Sequence, residues 1–123
     1  MIFYSLGNCG IGGHMLKYEE DTQMLSMIAK DTGDLLVSLE NYDITENTVL
    51  YFTVNKELEK QNPLISKEIT EFVENKALVH LSKEDTDLSP GNYLYDIQIN
   101  TGEDRVDTVI GPARFKILGG VKY

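Results

Sequence analysis

From residue 25 onward apolar side chains recur at every second position, and no long stretch recurs at helical spacing. A period of two is what a strand with one buried face requires, because successive side chains point to opposite sides of a sheet. The clearest case is near the C-terminus, where Tyr93, Tyr95, Ile97 and Ile99 share one face and Leu94, Asp96, Gln98 and Asn100 share the other. Leu35, Val37 and Leu39 alternate in the same way, as do Leu50, Phe52 and Val54. This pattern commits the chain to an all-β fold.

The connections agree with it. Residues 41–47 hold two Asn, an Asp and a Thr, whose short side chains bond nearby backbone and favour a loop. Residues 64–73 are less regular and carry Lys67 and Glu71 on the face of Ile65 and Ile69, as suits an edge strand that must not pair with another chain. Glu74-Asn75-Lys76 reads as a tight turn into a strand with Ala77, Val79 and Leu81 on one face and Leu78 and His80 on the other. Ser82-Lys83-Glu84-Asp85 fits a capping pattern at the start of one short helical turn, ended by Ser89-Pro90-Gly91. Residues 101–104 supply a hairpin connection to Val106, Thr108 and Ile110, after which Gly111-Pro112 is expected to interrupt the ladder before a last strand with Ala113, Phe115 and Ile117. Seven or eight short strands in a unit near 100 residues favour an antiparallel β-sandwich.

Composition shifts near residue 24, where a head with Gly7, Gly10, Gly12 and Gly13 and a polar stretch over residues 17–23 give way to alternation. The expected organisation is a flexible N-terminal tail over residues 1–24 and one sandwich domain over residues 25–123. Gly13-His14-Met15 also looks like a cloning junction followed by a second start methionine, so residues 1–14 are either native or vector-derived on this reading.

Charge narrows the function. With 20 acidic against 11 basic residues and a net charge of -9, the chain is a poor partner for nucleic acid or an anionic membrane surface, both of which need clustered Lys and Arg. The one cysteine, Cys9, permits no intrachain disulfide. No apolar run approaches the roughly 18 residues of a membrane-spanning helix, and no signal sequence is expected.

The sharpest enzymatic feature is Asp31-Thr32-Gly33, the triplet with which aspartic proteases present one carboxylate of a dyad. Those carboxylates need apolar surroundings to share a proton, whereas Lys30 and Asp34 flank the triplet here, as suits a solvated turn. Gly7, Gly10 and Gly12 lack the spacing of a dinucleotide loop. His14 and His80 are too few and too separate for a zinc site, and Glu84, Asp85 and Asp87 lack the alternating ligands of a calcium loop. No serine sits in a nucleophile elbow. No catalytic residue, cofactor site or metal site is therefore assigned. The tyrosines say more: Gly91, Tyr93 and Tyr95 have the spacing of a tyrosine corner, in which a Tyr at the start of a strand bonds back to upstream backbone, although a Tyr-rich strand with one buried face would read the same. Tyr42, Tyr51 and Tyr123 are the candidates for a stacking platform, were the domain an extracellular carbohydrate- or ligand-binding module.

Three segments carry a resemblance. Asp31-Thr32-Gly33-Asp34 precedes a strand, Leu50-Tyr51-Phe52-Thr53-Val54 forms one, and Leu81-Ser82-Lys83-Glu84-Asp85-Thr86 leads through Leu88-Ser89-Pro90-Gly91-Asn92-Tyr93-Leu94-Tyr95 to Asp96-Ile97. Over roughly residues 25–118 the chain resembles the small immunoglobulin-like proteins of tailed bacteriophages and prophages, in particular the N-terminal domain of phage baseplate upper proteins. The resemblance implies an immunoglobulin-like sandwich and a non-enzymatic virion protein, made in the bacterial cytoplasm, that docks on other tail or baseplate proteins through edge strands or a tyrosine-bearing face. Assembly as a homo-oligomer and a stand-alone decoration or adaptor role fit the same resemblance.

Overall fold

A computed structural model of the chain describes residues 3–5, 16–19, 21–39, 42–56, 63–102 and 105–119. The glycines of the head, Cys9, His14 and Tyr123 lie outside the described residues. The strands are β1 (Phe3–Ser5), β2 (Lys17–Glu19), β3 (Met24–Ile28), β4 (Gly33–Ser38), β5 (Val49–Asn55), β6 (Ile65–Ile69), β7 (Lys76–Leu81), β8 (Gly91–Gly102) and β9 (Arg105–Leu118). They form a smaller sheet of order β1-β4-β7 and a larger one of order β2-β3-β9-β8-β5-β6. The all-β sandwich is as expected, with seven strands from β3 onward.

Alternation dictates what is buried. Leu35, Val37, Ala77, Val79 and Leu81 line the inner face of the smaller sheet, and Leu50, Phe52, Val54, Tyr95, Ile97 and Ile99 face them from the larger one. Each large apolar side chain removed from water contributes about 1.5–3 kcal/mol. At the centre of the larger sheet Tyr95 lies 5.8 Å from Phe52 and 6.3 Å from Phe115 between ring centroids. The Tyr95–Phe115 pair meets edge to face, the arrangement ring quadrupoles favour.

Several expectations are corrected. β3 pairs with β9 in parallel, Leu25 opposite Phe115 through Ile28 opposite Leu118, so the sandwich is not antiparallel throughout. The head does not end at residue 24 as a tail: β1 pairs with β4, β2 pairs with β3, and Leu16 is fully buried in the core. Gly111-Pro112, a cis peptide, does not divide the last segment into two strands. Tyr95 pairs with Ala113 and Ile97 with Ile110, so Asp96 alone stands opposite both Gly111 and Pro112, and the ladder continues across a bulge. A Cβ on Gly111 would lie 2.6 Å from the Asp96 Cβ and 2.8 Å from the Tyr95 carbonyl oxygen, at a φ of +114°, so this position requires glycine. The segment after β7 is, as expected, a single turn, closed by Thr86 N–H to the Ser82 carbonyl at 3.2 Å.

Candidate interaction surface

The residues singled out in the sequence fall into separate places. Tyr93 is buried at the start of β8, and its hydroxyl donates to the Ser89 carbonyl at 2.6 Å, four residues upstream. Lys56 lies over the Tyr93 ring, 4.6 Å from its centroid. Gly91 opens the strand beside it. Tyr95 donates its hydroxyl to the Gln23 carbonyl, tying β8 to the turn that precedes β3. Desolvation, with a smaller contribution from Tyr18, pushes the Tyr95 phenol well above its ordinary value, so it stays a donor. All three positions hold the fold, and none presents a reactive group.

Asp31 and Thr32 form the connection between β3 and β4. Lys30 N–H donates to the Thr86 carbonyl at 3.1 Å, and the buried Thr86 hydroxyl donates to the Asp31 carbonyl at 2.6 Å. The triplet is thus a turn stapled to the segment after β7. Ser82 and Asp85 cap that segment reciprocally: Asp85 accepts from the Ser82 N–H at 2.8 Å, and its own N–H donates to the Ser82 hydroxyl at 3.2 Å. Lys67 reaches Asp85 at 2.7 Å. Burial alone would raise the Asp85 carboxyl, but the Lys67 and Ser82 hydrogen bonds hold it below its ordinary value. His80 meets Asp34 across the outer face of the smaller sheet at 2.6 Å. Among the described residues no three His, Cys, Asp or Glu side chains converge on a metal-sized site.

Of the stacking candidates, Tyr42 packs against the core from the loop after β4, and Tyr51 is half-buried on the outer face of the larger sheet.

The feature with room for a partner lies beside β6 and β7. A groove of about 670 Å³ runs between β6 and β7. Leu36, Ile69, Val73 and Leu78 provide its apolar lining, and Glu68, Glu71 and Glu74 stand along it against the single Lys76. Val73 is 73% exposed and Leu78 45%, so both apolar side chains are open to a partner. Leu36 and Leu78 are directly opposite each other on β4 and β7. Their alternation is visible in the sequence, where each stands at an outward position among apolar neighbours. Their adjacency is not, because period two fixes the face of a residue and not the neighbouring strand.

β7 also has an open edge. The Leu39 N–H donates to the Asn75 carbonyl at 2.8 Å, and with the register of β4 and β7 this assigns Ala77, Val79 and Leu81 to the ladder with β4. Lys76, Leu78 and His80 direct their backbone groups the other way. Those of Lys76 are taken by Val73, at 2.9 and 3.0 Å. Those of Leu78 and His80 have no backbone partner among the described residues. No protein-family model matches the sequence, and no curated protein matches it.

Proposed function

We propose that this chain is a non-enzymatic structural domain of a tailed phage or prophage virion, associated with the tail or baseplate, that docks on other proteins of the particle. The observation that carries the reading is the continuous run from Leu81 through Glu84-Asp85-Thr86 and Pro90-Gly91-Asn92-Tyr93 to Tyr95-Asp96. In it, Asp85 caps the turn, Thr86 staples that turn to the β3–β4 connection, and Tyr93 bonds back across Pro90 to Ser89. The immunoglobulin-like aspect of the reading is supported by strand order. β4 and β7 pair in one sheet, β9, β8 and β5 are neighbours in the other, and a tyrosine corner opens β8 two residues before Tyr95. The net charge of -9 and the half-open groove favour protein partners over nucleic acid.

Immunogold labelling tests the reading directly. Antibodies raised against the purified domain are expected to place gold on the tails of particles released by the bacterium that carries the gene. Label confined to the soluble fraction, with bare particles, would overturn it.

A further inference from the structure

Resting on the reading of the chain as a docking domain, we infer that the open edge of β7 and the adjoining groove take an extended, basic peptide segment of a partner protein, which adds to the smaller sheet as its next strand. Three observations converge on it. Leu78 and His80 offer two N–H and two C=O groups at the spacing an added strand needs. Beside them Leu36, Ile69, Val73 and Leu78 give an apolar lining for alternate side chains of that strand. Glu68, Glu71 and Glu74, opposed only by Lys76, make the groove acidic.

The charge decides between occupants. A second copy of this chain, itself at -9, would bring a matching acidic edge against the first, and like charges across an interface are repelled. The same rim that discourages self-pairing selects Lys or Arg at the outward positions of an incoming strand. Glu74 adds to the case. It sits in the left-handed region at φ 52°, followed by Asn75 at 61°, in a turn that closes Val73 onto Lys76. Turns of this hand favour Asn and Gly at both central positions. A glutamate kept in that conformation breaks a local rule, and such breaks concentrate at functional positions. Here it sets a carboxylate at the mouth of the groove.

A fluorescein-labelled peptide of alternating Lys and Val, about seven residues long to match a typical strand, tests this against a Glu/Val peptide of the same length. The basic peptide is expected to bind saturably by fluorescence anisotropy and to slow hydrogen exchange at the Leu78 and His80 amides. The acidic peptide is expected not to bind. Glu71→Lys with Glu74→Lys should weaken binding by about tenfold or more while the melting temperature holds. Leu78→Pro removes an outward N–H without touching the ladder to β4, and should abolish binding in a protein whose circular dichroism is unchanged. No saturable binding, equal affinity for both peptides, unchanged affinity after charge reversal, or exchange at Leu78 and His80 unaffected by the peptide would each overturn the inference. So would a dimer in light scattering that already protects those amides. Gold on phage tails together with any of these results would leave the virion reading standing and remove only the groove.

Discussion

On β8 the side chain of Asp96 lies on the outer face of the larger sheet, half-buried beside the Gly111-Pro112 bulge, with no ion pair or side-chain hydrogen bond to it among the described residues. Burial raises its carboxyl above the ordinary value of 3.8. A carboxyl raised on folding favours the folded state while it is protonated, and that contribution is lost as pH rises through the folded value. Asp96→Asn is therefore expected to stabilise the protein at pH 7, by about 0.5–1 kcal/mol after solvent screening, and to make little difference at pH 3. Thermal melts of both proteins at the two pH values check this. Asp85 acts in the opposite sense: its stabilisation is present above 3.8 and lost as pH falls through its lower folded value. Neither sense is legible from sequence, where Asp96 reads as an outward position of an alternating strand and Asp85 as an acid in a polar turn. Only the tertiary neighbour, a bulge for Asp96 and the Lys67 ammonium for Asp85, tells them apart.

At the scale of elements, β8 was fully legible because its four inward residues, Tyr93, Tyr95, Ile97 and Ile99, alternate without a break and are all buried. β6 was legible as an edge from its charges, and it does end the larger sheet. β9 misled because Gly-Pro ordinarily interrupts a ladder. Here one residue on the partner strand stands opposite both, so pairing resumes at Ala113 and no strand ends. The bulge depends on Gly111. Gly111→Ala would drive a Cβ into the Asp96 backbone and Tyr95 carbonyl, and is expected to cost on the order of 3 kcal/mol, combining overpacking with left-handed strain. Urea unfolding measures it, and a midpoint equal to that of the unaltered protein would show that the bulge can relax. β2 was hidden because it presents Lys17 and Glu19 to solvent on either side of one half-buried residue, Tyr18, too short an alternation to register as a strand. The groove between β6 and β7 was hidden for a different reason: most of its lining falls within residues 68–78, but Leu36 joins it from β4 only through its pairing opposite Leu78, which alternation alone does not give.

For the molecule as a whole, the largest departure from the sequence reading is that the segment before residue 24 belongs to the fold. Leu16 is fully buried, and the Gln23 carbonyl accepts from Tyr95 at the centre of the core. Two truncations separate these contributions. Removing residues 1–15 takes β1 from one edge of the smaller sheet and should lower stability modestly while unfolding stays cooperative. Removing residues 1–23 also takes Leu16 and leaves the Tyr95 hydroxyl without its acceptor, and is expected to cost about 3–5 kcal/mol. Against a typical total of about 5–15 kcal/mol, that loss is large enough to populate the unfolded state. Denaturant titration of the two truncated chains distinguishes them, and equal midpoints would return residues 16–23 to the status of a tail.

The parallel pairing of β3 with β9 has a mechanical meaning. β3 enters the larger sheet from the N-terminal side and β9 leaves it toward the C-terminus, side by side and pointing the same way. Tension applied to the two ends first peels β1 and β2, whose antiparallel ladders can unzip bond by bond. It then reaches β3 and β9, where the pull runs along both strands in opposite directions. The rows from Leu25–Phe115 to Ile28–Leu118 must then yield together, so the first and last core strands act as a shear clamp that shields the rest of the sandwich from load.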